Sequence, residues 1–413
     1  MTPDTPTTAP RADSPLRHTR DGGRTMTPTA AADAAALPRA ARRLLTGFFA
    51  GLGVVMAVWG ARMPAVQAAA HLGPGQLAVV LLAAAAGMVA GLQIGGRLAQ
   101  RHGPARLLTG PAVVFGLSLA ALGQCRTLMS LSAVAVAFGL SHGLLDVGVN
   151  AAAVQCQHGY GRSIISGLHA AYSLGALTGA GLAAVTTWVS HQAVFAAVGA
   201  GLALTAAAAG PKTQHIQALA QSPSSAERAS NSPRSTGLGR STMWLLGSLA
   251  AACLLAEGAA TDWAAVHLRH LGASESAAAS AYALYSAAMA AGRLLGDRLT
   301  ARYGAITVVR AGALLASAGL GASLITDSAP AALAGWMALG LGLSTAVPSL
   351  ITAAGRGGPR AVGTVAATGY TGLLAGPAAI GALASILTLP TALVLPVALA
   401  AVVAATARRA LES

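Results

Sequence analysis

The sequence predicts an all-α integral membrane protein whose twelve transmembrane helices form two six-helix bundles. Three observations predict it. Of 413 residues, 54% are hydrophobic and only 9% are charged, against roughly 25% charged in a soluble domain, and mean hydropathy is +0.63. Apolar runs of about 20 residues, the length that crosses hydrocarbon, recur along the whole chain. A polar stretch near the middle then divides these runs into two sets of six, and short motifs echo between the sets.

The runs fall at roughly 44–62, 76–98, 106–124, 128–154, 163–188 and 191–210 in the first set, and 242–267, 277–299, 305–326, 330–353, 361–387 and 390–407 in the second. Residues 1–41 are rich in Thr, Pro, Ala, Asp and Arg without apolar periodicity and read as a disordered cytoplasmic tail. Met26 stands as an alternative start. Arg42-Arg43 ahead of an apolar run has the look of an export signal, but eleven more runs follow and no small-residue cleavage site is evident. Residues 42–210 form the first bundle, 211–240 a Pro/Ser-rich cytoplasmic linker, 241–408 the second bundle and 409–413 a C-terminal tail.

A formal net charge of +14 raises the question of nucleic acid. The basic residues are neither clustered on one face nor interleaved with aromatics, so that partner is excluded. They follow the loops instead. With both termini cytoplasmic, inner segments hold 23 of the 26 Arg and Lys residues, leaving Arg62, Arg126 and Arg269 outside. That is the positive-inside asymmetry, and it predicts a multi-pass protein of the cell membrane. Cys125, Cys156 and Cys253 have no ligand spacing, so neither a disulfide nor a metal site is expected. No cofactor is implied.

Asp146 is the most informative single residue. It lies inside the fourth run, where a carboxylate is costly and marks a functional site by default. His142 precedes it by four residues and Asn150 follows it by four, which puts all three on one helix face. His169 and Tyr172 lie three apart on the fifth run and present a polar face toward the fourth. Histidine changes charge near neutral pH, so a proton relay between Asp146 and His169 is chemically reasonable. His142 and His169 also have the plainer reading of structural hydrogen-bonding residues.

The seventh run holds Glu257 and Asp262 beside Trp263. Glu257 falls about 18 Å in from Leu245 at the cytoplasmic end, past the middle of the membrane. The two acids point about 140° apart, so facing one cavity together requires a helix break, which Gly258 can supply. Asp262 otherwise reads as an interfacial charge. Trp59, ahead of Arg62 and Pro64, reads either as part of the interfacial aromatic belt or as a stacking platform for a sugar ring.

The halves echo one another at offsets near 200 residues. His71-Leu72-Gly73 recurs as His270-Leu271-Gly272, Gly95-Gly96-Arg97 as Gly296-Asp297-Arg298, and Tyr172-Ser173 as Tyr370-Thr371, as expected of parallel repeats. Gly175 and Gly179, like Gly372 and Gly376, have the small-xxx-small spacing that lets helices approach closely, and Pro377 is placed to kink the eleventh run.

The chain resembles the major facilitator superfamily over residues 42–408. Gly292-Arg293-Leu294-Leu295-Gly296-Asp297-Arg298-Leu299-Thr300-Ala301-Arg302-Tyr303-Gly304, after the eighth run, looks like the superfamily's loop signature and its repeat. From Gly143 to Gly181, Asp146, Asn150, Gly161-Arg162, His169 and Ser173-Leu174-Gly175 look like the fucose permease-like branch. In that branch the acid, the asparagine four later and the polar fifth span line the sugar and proton route. The signature also implies a gate, because Asp297 can latch onto a neighbouring helix N-terminus, which carries partial positive charge, or onto Arg298 or Arg302. In the first-half copy Gly96 stands where the acid is expected, beside Arg97 and Arg101.

The resemblance implies a secondary transporter working by alternating access, with proton-coupled uptake of a sugar or other small polar solute. Its expected partners are that solute, protons and the lipid bilayer, with the protein a monomer. A drug or metabolite exporter shares the fold, but the fifth run lacks the Gly-Pro pair usual in efflux branches. A non-transporting membrane sensor is the alternative from another class. An enzyme is not expected, because no metal cluster, phosphate-cradling loop or nucleophile with a base in register is evident.

Overall fold

A computed structural model describes residues 28–221 and 238–412, and within these the chain is helical throughout. The first half contains α1 (Pro28–Ala69), α2 (Pro74–His102), α3 (Thr109–Gln124), α4 (Leu128–Tyr160), α5 (Ile165–Val185) and α6 (His191–Ala209). The second contains α7 (Arg240–His270), α8 (Glu275–Tyr303), α9 (Ala305–Leu324), α10 (Ala329–Leu343), α11 (Gly358–Ile386) and α12 (Val394–Glu412). A break at Ser344 and Thr345 separates α10 from its continuation, Ala346–Ala354.

Length and apolarity alone pick out 10 membrane-crossing segments among the described residues, and the shortfall has a physical reason. One segment, Ala329–Ile386, holds both the α10 crossing and α11. α8 is too polar to qualify, because it carries Arg293, Asp297, Arg298 and Arg302. Twelve crossings result. Leu82, Leu177 and Leu204 are exposed on them, as suits side chains that face acyl tails.

The helices pack as each half's glycines permit. Gly175 and Gly179 of α5 lie against the backbone of α1 at Ala50 and Val54, while Gly372 and Gly376 of α11 lie against α7 at Ala251 and Leu255. These are equivalent pairs in the two halves. Without a hydrophobic force between helices in lipid, close backbone contact supplies the packing energy. The other echoed motifs also fall at equivalent places. His71 and Gly272 adopt positive φ in the turns that follow α1 and α7, and Gly103 and Gly304 do so after α2 and α8.

Several boundaries differ from the sequence reading. α1 begins at Pro28, inside the expected tail, and Ala41 and Leu45 are fully buried. Within the expected linker, Gln214–Gln221 is helical and Ile216 is buried; residues 222–237 lie outside the described residues. The C-terminal helix runs on to Glu412. α7 is unbroken through Gly258, whose missing side chain lets Leu373 of α11 come close instead. The Leu373 carbonyl is the one that Pro377, four residues on, leaves without its helical donor. α11 continues through Pro377 without ending, and Trp263 Nε1 donates to the Pro377 carbonyl at 3.3 Å.

Candidate functional site

Between the halves lies a cavity of about 110 Å³. Five residues singled out from the sequence line it: Asp146 and Asn150 from α4, His169 and Tyr172 from α5, and Glu257 from α7. Helical spacing explains the first four. Asn150 Nδ2 donates to the Asp146 carbonyl at 2.9 Å, one turn back along α4. Its Oδ1 meets His169 Nε2 at 3.2 Å, tying α4 to α5. The His169 ring packs 5.2 Å from that of Phe49 on α1. Asn150 is buried and satisfied, so it orients His169 while Asp146 keeps access to the cavity.

Sequence reasoning missed two lining residues, Arg293 and Tyr370. Arg293 was read as part of a loop. The motif Gly292–Tyr303 is instead the last three turns of α8, and only Gly304 forms the turn. Arg293 is therefore a buried arginine inside a span, with Nη2 3.8 Å from Glu257 Oε2 and Nη1 donating to Ser173 Oγ at 2.7 Å. The cost argument that drew attention to Asp146 applies equally to it. Tyr370 had a signal too, since it is the repeat partner of Tyr172, and the two face the cavity from opposite halves.

Other expectations are placed elsewhere. Trp59 belongs neither to an interfacial belt nor to the cavity; it is buried against Phe138 and Phe195, at ring distances of 5.2 and 6.2 Å. Together these rings fill volume that the bundle's alanines leave open. His142 is buried and stacks on Phe115 at 5.2 Å, so it packs rather than lines the site. Asp262 is exposed, away from the cavity, as follows from an unbroken α7.

Asp297 lies near the end where α8 finishes and α5 begins, the end that also bears the connection between the halves. Its Oδ1 accepts from the Ser166 amide at 3.0 Å and the Ser163 hydroxyl at 3.0 Å, and its Oδ2 accepts from the Gly167 amide at 2.8 Å. A carboxylate of the second half thus caps a helix of the first. α5 has no capping side chain of its own, so Asp297 satisfies otherwise unpaired amides and meets the positive helix end. Arg298 and Arg302 are exposed, with Arg302 over the Tyr303 ring at 5.3 Å, so the Asp297 carboxylate meets the helix and neither of these arginines.

The equivalent place in the repeat, at α2 and α11, has no acid. Gly96 and Gly363 let the two backbones touch: a Cβ at Gly96 would stand 3.2 Å from Arg360 Cα, and one at Gly363 would stand 2.6 Å from the Leu92 carbonyl oxygen. Arg97 and Arg101 are exposed beside this seam. Beyond the latch, at the same end, a larger cavity of about 520 Å³ is lined by residues of both halves, among them Gln157, Ser166, Thr300 and Thr352. Ser163 and Ser166, which Asp297 holds, both line this wider cavity.

The chain is 33% identical over 372 residues to an uncharacterized MFS-type transporter of Yersinia pestis, covering 88% of this chain and 94% of that one. In fold it matches FucP, an E.coli fucose:proton symporter, in the outward conformation, with a TM-score of 0.66 at 18% identity, covering 89% of this chain and 98% of that one. It also matches the proton:xylose symporter XylE, with a TM-score of 0.70 at 12% identity over 91% and 96% of the two chains. The Major Facilitator Superfamily profile matches residues 43–359. With that profile spanning most of both bundles, the chain belongs to the major facilitator superfamily, and it resembles the fucose permease branch.

Proposed function

We propose that this transporter takes up a small polar solute together with protons, by alternating access, and that sugars are the leading class of solute. The observation that carries the reading is the cavity itself. It gathers two carboxylates, Asp146 and Glu257, with one guanidinium, one imidazole and two phenols between the halves, where an intramembrane charge is costly unless it has work to do. A volume of about 110 Å³, equal to roughly three or four waters, favours a small solute and requires the halves to part before a sugar enters. The symporter neighbours, FucP for fucose and XylE for xylose, support the choice of sugars and of protons.

The arginine asymmetry supports a cell-membrane location with the latched end in the cytoplasm. With that end held by Asp297 and the glycine seam, the described state leans outward. Asp146 is the proposed proton carrier, with His169 as its relay, and the protein works as a monomer. Its solute is found by thermal-shift screening of purified protein against sugars, amino acids and drugs, since a ligand of the native state alone stabilises it by mass action. In proteoliposomes Asp146→Asn is expected to abolish accumulation driven by a pH gradient while leaving insertion intact. A variant that concentrates the solute as well as wild type ends the carrier role.

A further inference from the structure

α9 starts at Ala305 without a capping side chain, because its N-cap is Gly304, held at φ 78° in the turn after α8. The first amides of a helix have no partner within it and carry its positive end. Here that end opens onto the cavity of about 520 Å³, which Gly304, Ala305 and Ile306 line. Three side chains face the same space. Ser349, on the continuation of α10, is only 8% exposed, and its hydroxyl has no partner among the described residues. A buried hydroxyl without a partner is costly, so a polar molecule in the cavity is what it is fitted to meet. Arg356 is fixed at the wall by donating from Nε to the Ala353 carbonyl at 3.3 Å and from Nη2 to the Leu411 carbonyl at 3.1 Å, which leaves Nη1 and the charge uncommitted. Gln157 Oε1 accepts from the Ile164 amide at 3.0 Å, so its Nε2 is left to donate.

Among the described residues no carboxylate lines this cavity. Asp297 and Glu412, next to lining residues in the chain, are already engaged, the first by α5 and the second by Arg408 at 2.9 Å. What remains is a set of donors with a positive balance: a guanidinium, an open helix end, an amide and a hydroxyl. That is the chemistry a phosphate group requires, since it takes a guanidinium, backbone amides and hydroxyls at once. The volume is that of a small-molecule site and larger than a bare ion needs. The phosphate therefore comes with an organic remainder, to which Ser166 and Thr300 offer polar contacts.

We propose that this cavity is a binding site for a dissolved phosphate monoester, and that the bound ester ties the two halves together at the latched end. Gln157 and Ser166 belong to the first half, whereas Thr300, the start of α9, Ser349 and Arg356 belong to the second. Parting of the halves dismantles the site. The ester therefore binds the closed end and holds it closed, by the reciprocity that links a ligand to the state it prefers. Inhibition of uptake from the cytoplasm follows, and that consequence alone rests on the transport reading above.

Calorimetry on the full chain in nanodiscs of zwitterionic lipid tests this, with glucose 6-phosphate as the probe and glucose and inorganic phosphate beside it. The ester is expected to bind about tenfold more tightly than either part. Arg356→Gln is expected to weaken it about tenfold, Arg356→Lys about threefold because the charge stays, and Ser349→Ala about fivefold. Asp146→Asn, in the other cavity, is expected to leave it unchanged. Gly363→Ala lies outside this cavity and crowds the seam, where a Cβ meets the Leu92 carbonyl at 2.6 Å. By favouring the open end it is expected to weaken the ester about fivefold. No binding of the ester, full affinity in Arg356→Gln or Ser349→Ala, loss in Asp146→Asn, or an effect seen only with phosphatidylglycerol in the nanodisc overturns the site. Affinity unchanged in Gly363→Ala overturns the tie between the halves. Should Arg356→Gln fail to fold, Arg356→Lys and Ser349→Ala still decide the matter. Ester binding by a protein that moves no solute in proteoliposomes would sink the transport reading and leave the site standing; proton-driven uptake by a protein that ignores the ester would do the reverse.

Discussion

The two places where the halves meet at the latched end do the same job with different chemistry. At α5 and α8 a carboxylate crosses the gap and caps a helix, an interaction that is directional and electrostatic. At α2 and α11 the equivalent acid is replaced by Gly96, and contact is made by bare backbone against Gly363 and Arg360. The difference teaches that a repeat can be kept in fold and abandoned in chemistry. A polar contact is loosened by competing charges, whereas a glycine seam responds only to shape, so only one of the two contacts is chemically addressable.

The seam is the more easily broken. Gly363→Val puts a branched side chain where even a Cβ meets the Leu92 carbonyl at 2.6 Å. Overpacking of this kind costs about 1–3 kcal/mol, so closure at this end, and uptake with it, is expected to fall about five- to 150-fold. Uptake within twofold of wild type would mean that the seam is not part of the gate. Asp297→Asn tests the polar side. It removes the charge at the α5 N-terminus and one of two acceptors, for an expected shift of about tenfold toward an open cytoplasmic end. Cysteine labelling from the cytoplasmic side measures it, with Arg298→Gln and Arg302→Gln expected to stay within about twofold because surface charges contribute little. Equal effects from all three would return the latch to the arginines.

The smallest expected effect is the most informative about the repeat. Gly96→Asp restores an acid beside the start of α11, the position that Asp297 holds toward α5, but its Cβ must fit within 3.2 Å of Arg360 Cα. Compared with Gly96→Ala, which carries the same crowding without charge, the acid is expected to favour the closed end about two- to fivefold. If the two variants behave alike, the α11 N-terminus offers nothing for a carboxylate to hold.

Much of this molecule was legible without coordinates. Asp146, Asn150, His169, Tyr172 and Glu257 were singled out by the cost of polarity inside apolar runs, and the folded chain lines one cavity with all five. Arg293 obeys the same rule. Its place inside the eighth run was masked by its membership of the loop signature that follows that run. Trp59 failed for a different reason, since amphipathic residues near a span end suit an interface, a platform or a core equally, and neighbours decide which.

What the sequence determined by itself is the membrane class, the twelve crossings and the twofold repeat, because hydrocarbon thickness and the need to satisfy every backbone amide leave long apolar helices no other arrangement. Only the tertiary structure decided that Asp297 caps α5, that Arg293 bridges Glu257 and Ser173, and that Gly96 and Gly363 meet. The physical reason is range. Periodicity and transfer cost act along the chain, while these contacts, all but the Arg293–Glu257 pair, join residues more than a hundred positions apart, and nothing short of packing brings them together.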